Sequence, residues 1–173
     1  PKLQSAFDSL EQQRKKLLEE LSVIPHEKLS TSPPGRWTVL HIVSHLIAGE
    51  RTGLEYVKKK MLGVETVGNA GMYEQFKMLI LILSQRLPFL KYNAPKIIVE
   101  RTVVFSDLKS VEKEWVSLRL EWRKFLETLP DQYVNRKLFR HVVAGPLSME
   151  QGLRFFGEHV RHHRPQIDAL TKQ

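Results

Sequence analysis

The sequence predicts an all-α protein, a four-helix bundle with a long connection after its second helix. Three observations carry that prediction. Apolar residues recur in steps of three and four along several long stretches, the spacing of one helix face turned toward a core. Alternating strand patterns are nearly absent. The composition, 42% hydrophobic and 27% charged over 173 residues, is that of an ordinary globular chain and not of a membrane class. The length suits one domain over residues 1–173, with enough chain to bury a core.

The first predicted helix runs from Leu3 to Leu21, with Leu3, Phe7, Leu10, Leu17 and Leu21 on one face, and stops ahead of Pro25. Ser30 to Arg36, with paired prolines and Gly35, is a connector. Thr38 is a good N-cap, so helix two opens there. Its seam passes through Ile42, His45, Gly49, Gly53 and Tyr56 toward Lys60, and Gly49 leaves room beside His45. Met61 to Ala70 reads as a glycine-bearing loop. A third helix is expected over Met72 to Leu90, interrupted at Pro88. Its run Met78 to Leu83 is buried core, or an oligomer face if part of it is exposed, and is too short to span a bilayer.

Asn93 to Thr102 reads as irregular, with Ile97-Ile98-Val99 as a short extended stretch. Ser106 caps the next helix, which reaches Leu129. Its seam of Val111, Trp115, Leu118, Trp122, Phe125 and Leu129 is core, aromatic residues at helical spacing. Pro130 to Pro146 is a long loop containing His141 and Gly145. Ser148 starts the last helix, and Gln151 completes an S-x-x-Q capping box.

The net charge of +8 is dispersed over Arg14-Lys15-Lys16, Lys58-Lys59-Lys60, Arg136-Lys137 and Arg161 with Arg164. Each run reads as a solvated surface. No zinc finger, phosphate loop or aromatic-interleaved basic strand accompanies them, so nucleic acid is not an expected partner. The amino end is amphipathic and charged, unlike a signal peptide, although a chain opening at Pro1 leaves an earlier leader open. There is no cysteine, which removes disulfides, thiolate ligands and a cysteine nucleophile. That fits a cytoplasmic protein and leaves His, Asp and Glu as metal ligands.

The last helix carries the chemistry. Met149, Leu153, Phe156, Val160, Ile167 and Leu170 form its apolar seam, and His163 fills the one missing position. His159 lies one turn earlier on the same face. His at i and i+4 is a zinc-binding helix spacing. An inward imidazole also needs partners for its nitrogens, so hydrogen-bonded core histidines are the competing reading. His45 is a third inward histidine, and His41 lies one turn before it. Three nitrogens from two helices would leave positions on an ion for water or substrate. Glu50 is a candidate proton acceptor or supporting partner, set against a plain solvent-facing carboxylate. Gln166 could orient a ligand, or could cap the helix or face solvent. His162 points about 100° away from His163, to the rim. His26 and His141 fall in loops, the latter able to line the site mouth. Pro165 would kink the helix or merely curve its end.

The segment Arg36 to Leu46 followed by Glu50 resembles the W-[ST]-x6-H-L-x3-E motif of the DinB-like superfamily. His159-x-x-His162-His163-x-x-Gln166-Ile167 resembles its H-x-x-H-H-x-x-Q motif, and Gly145-Pro146-Leu147-Ser148 resembles the lead-in to its last helix. The resemblance spans nearly the whole chain. It implies an up-up-down-down bundle and a divalent ion, usually zinc or nickel, ligated by His45, His159 and His163. It also implies use of a low-molecular-weight thiol such as bacillithiol or mycothiol, and a homodimer. The departures are Pro165, where small or polar residues are common, and Val142, where the loop often has proline; both bear on pocket shape.

The expected function is a metal-dependent thiol S-transferase or related hydrolase, with Glu50 as a candidate catalytic residue and His141 and Gln166 as candidate cofactor-binding residues. The ion would lower the pKa of a bound thiol and present the thiolate to an electrophilic small molecule. The basic surface would favour a carboxylate-bearing thiol. The alternative is a non-catalytic bundle with a structural metal or none, acting as a stress-related binding protein.

Overall fold

The structure, a computed structural model, describes residues 2–86 and 95–172. Among them are seven α-helices: α1 (Lys2–Ser22), α2 (His26–Ser30), α3 (Val39–Met61), α4 (Met72–Arg86), α5 (Lys96–Arg101), α6 (Leu108–Thr128) and α7 (Met149–Thr171). A single antiparallel hairpin joins β1 (Phe139–His141) to β2 (Gly145–Leu147), pairing Phe139 with Leu147 and His141 with Gly145. Among the described residues, no helix is long and apolar enough to cross a membrane.

The long helices form where the apolar stripes and caps require them. Thr38 accepts the His41 backbone N–H and so starts α3. Ser148 and Gln151 form the reciprocal capping box of α7, which sets the phase of its histidines. Helices α1, α3, α6 and α7 pack on one another in neighbouring pairs, and their stripes merge into one core. Phe7, Trp115, Trp122 and Phe156 are its largest fully buried side chains, each contributing roughly 1.5–3 kcal/mol by leaving water. Helices α3 and α7 close tightly at the hairpin. A Cβ on Gly152 would stand 2.6 Å from the Phe139 ring, and one on Gly53 would stand 2.7 Å from Phe156. The expected role of Gly49 needs correcting. The space it leaves faces His159 and not His45, since a Cβ there would meet the His159 ring at 3.7 Å, ordinary contact.

Several local expectations change. Residues His26–Ser30 are helical, so His26 opens a short helix instead of lying in a loop. Ile97-Ile98-Val99 lies in α5 and not in an extended stretch. Its β-branched residues favour strand, but without a partner strand the backbone closes on itself. Ile98 and Val99 both donate to the Pro95 carbonyl, at 2.9 and 3.1 Å. Asp107 is the N-cap of α6, accepting from the Ser110 N–H at 2.8 Å, while the Ser106 hydroxyl bonds to the Asp107 carboxylate. The loop after α6 contains the hairpin, whose three-residue strands are too short to show alternation.

Met78 to Leu83 divides between both of its expected fates. Met78, Leu81 and Ile82 are buried, whereas Leu79, Ile80 and Leu83 are about half exposed. Helix α7 runs on through Pro165 to Thr171. The predicted extension of the third helix to Leu90, its break at Pro88 and the irregular segment's start at Asn93 lie outside the described residues.

Candidate metal centre

The phase of α7 brings His159 and His163 to one face, and α3 packs across that face with His45. The ring centroids stand 5.1 Å (His45 to His159), 5.2 Å (His45 to His163) and 4.9 Å (His159 to His163) apart. One nitrogen from each ring lies within 4.8 Å of the other two. The Nε2 atoms of His159 and His163 are 3.1 Å apart, close to the spacing of about 3.3 Å that two ligands keep on a tetrahedral zinc ion. Sequence reasoning named these three residues, and the fold brings all of them together.

The hydrogen bonding around the rings fits an ion. Gln166 Oε1 lies 2.7 Å from His163 Nδ1. With the amide oxygen accepting, the proton sits on Nδ1 and the Nε2 lone pair faces the centre. Of the two expected roles, Gln166 therefore has the orienting one. His45 Nδ1 is buried without any hydrogen-bond partner. An orphaned polar atom in a buried site is uncommon and calls for a ligand or a reason.

Burial also keeps the rings neutral, the state in which imidazole ligates. It pushes His45 down to about 4, helped by repulsion from His163 and His41. His163 falls to about 4 chiefly by burial, with the Gln166 bond opposing the shift. His159 falls well below the ordinary value for the same primary reason, helped by repulsion from His163 and then His45. Three neutral nitrogens, with no carboxylate or thiolate in the group, suit zinc, nickel, copper or iron.

Aromatic rings wall the group. Trp37 stacks on His41 at 4.5 Å and tilts against His45 at 5.0 Å. Phe155 stacks on His159 at 5.5 Å, and His141 packs on Phe155 at 4.3 Å. His141 therefore lines the flank, on strand β1, where sequence reasoning had only a loop. The sequence signal for Phe155 is its place four residues before His159, on the same helix face. His162, half-buried, keeps to the rim with its ring 5.2 Å from that of His163.

Glu50 departs from the solvent-facing expectation. It is 2% exposed, accepting from Arg119 Nε and Nη2 at 2.7 Å each and from Trp115 Nε1 at 3.2 Å. Arg119 also reaches Glu11, so the cluster ties α3, α6 and α1 together. Sequence reasoning missed Arg119; its one signal was its position four residues after Trp115, beside the apolar seam.

A helical chain that gathers three neutral imidazoles at one buried point defines a class of protein with a ready metal-binding cradle. The chain belongs to the DinB superfamily, whose family model matches residues 9–167. Comparison with curated proteins and with solved structures gives no match.

Proposed function

We propose that the protein is a metal-dependent enzyme in which His45, His159 and His163 hold one divalent ion, zinc or nickel, in an up-up-down-down four-helix bundle over residues 1–173. The carrying observation is the convergence of three neutral imidazoles, one with an orphaned buried nitrogen, with one nitrogen of each ring within 4.8 Å of the others. A resident ion would supply Lewis acidity and lower the pKa of a bound low-molecular-weight thiol. That chemistry serves S-transfer to an electrophile or a related hydrolysis.

The chain's own residues do the positioning. Gln166 holds His163 in the ligating tautomer. Trp37 and Phe155 fix the ring planes of His45 and His159 and restrict water. Glu50, with both oxygens bonded, acts by anchoring α3 to α6. The half-exposed Leu79, Ile80 and Leu83 support a homodimer.

Elemental analysis of untagged protein tests the ion, with one equivalent expected in wild type and none in His163→Ala. Thiols and electrophiles are then scanned against loaded protein; turnover that persists undiminished in His163→Ala would sink the mechanism. A purely structural ion is the second reading, since His45 and the α7 pair would cross-link two helices. It predicts that chelation lowers the melting temperature while no thiol perturbs the ion.

A further inference from the structure

The hairpin beside the triad holds a histidine in a single tautomer. His141 Nδ1 accepts the backbone N–H groups of Val143 and Ala144, each at 3.1 Å. A nitrogen that accepts carries no proton, so the proton of the neutral ring sits on Nε2. That Nε2–H has no acceptor among the described residues, and it is not one of the sealed, partnerless buried atoms. It is an open donor. The ring that carries it packs on Phe155, which in turn stacks on His159, so the donor stands one aromatic ring away from the triad.

A cation lies on the same side. The hairpin register pairs His141 with Gly145, and paired residues direct their side chains to one face of the sheet. Lys77 Nζ comes within 3.7 Å of where a Cβ on Gly145 would be, so the ammonium fills the room left by the missing side chain. It rests 4.6 Å over the Tyr73 ring, and no carboxylate among the described residues pairs with it. Lys77 thus stands at the hairpin position paired with His141, and neither donor has an acceptor among the described residues. An oxygen anion complements both, and a carboxylate has one oxygen for each.

We propose that His141 and Lys77 form the docking point for a substrate carboxylate beside the three histidines. This rests on the function proposed above and narrows its substrate to carboxylate-bearing thiols or electrophiles.

Two measurements test it separately. In metal-free protein, nitrogen-15 NMR of the imidazoles should show His141 protonated on Nε2. That signal should move on titration with propionate, stay still with propanol, and no longer respond to propionate in Lys77→Met. The substitution leaves the hairpin's hydrogen bonds intact. In cobalt-loaded protein, thiolate-to-metal absorbance should show 3-mercaptopropionate binding about tenfold tighter than 1-propanethiol, one charge-assisted hydrogen bond's worth of selectivity. Lys77→Met should bring that ratio close to one while 1-propanethiol affinity stays within about twofold, and His141→Phe should likewise remove the preference for the carboxylate-bearing thiol. A proton on Nδ1, or carboxylate selectivity that survives both substitutions, would overturn the docking point. Protein that takes up no cobalt yet keeps its Lys77-dependent propionate response would overturn the metal-dependent function and support the docking point.

Discussion

Helix α3 bears two buried polar clusters, about a turn and a half apart, built in opposite ways. At Glu50 both carboxylate oxygens are bonded, by two Arg119 nitrogens and the Trp115 indole, and Arg119 has Glu11 besides. At His45 the Nδ1 atom has nothing, and two neighbouring Nε2 atoms face each other at 3.1 Å. A buried polar group without a partner is costly, and a fully bonded one stiffens its surroundings. The first cluster is complete as protein and holds helices together. The second is only partly satisfied: His159 and His163 lie at hydrogen-bond distance of each other, and His45 Nδ1 is left without a partner.

Acid should expose the contrast most strongly. The folded-state values of His45 and His163 lie near 4, below the ordinary 6.5 of an unfolded chain. The unfolded state therefore binds protons first as pH falls. Stability is full above about 6.5 and is lost progressively down to about 4, by up to about 1.4 kcal/mol per pH unit for each ring. Urea midpoints of metal-free protein across that range should show the slope, and His45→Phe combined with His163→Phe should make it shallower, with His159 and His141, also lowered by burial, supplying what remains. A flat wild-type profile would mean that the rings are not held neutral.

Breaking the complete cluster comes next. Glu50→Ala leaves Arg119 buried beside a lost partner and should cost about 3–5 kcal/mol in urea unfolding. Metal content per folded molecule should stay the same. A loss of metal from folded Glu50→Ala protein would join the two clusters into one site and end the comparison.

Gln166→Ala should act in the reverse sense. Losing the bond to His163 Nδ1 should weaken metal binding about 10–100-fold in a chelator competition, with the urea midpoint of metal-free protein little changed. The smallest effect belongs to Gly49→Ala. Its added methyl meets His159 at ordinary contact distance, so helix propensity should raise stability by no more than about 1 kcal/mol, with metal content retained. A marked loss of metal there would show that the site needs more room beside α3 than the contacts imply.

Much of this was legible before any coordinates. Thr38 and Ser148 cap α3 and α7 as read, and the seam that skips from Val160 to Ile167 exposes His163 as an inward ring. His159 follows from helix pitch alone. Glu50 was not legible in the same way, because its burial depends on Arg119, which lies 69 residues further along the chain. The tautomer of His141 depends on a hairpin too short to announce itself, and α5 turns helical against the preference of its β-branched residues.

By itself, then, the sequence determined the long helices, their caps and the inward direction of the α7 histidines, because each depends on residues within a turn or two of one another. Tertiary structure alone decided that His45 meets that pair, that Glu50 is sealed beneath Arg119, and that Lys77 reaches the vacancy at Gly145. Those outcomes rest on which helix faces pack together, a choice made by the burial of the whole core and not by any local stretch of chain.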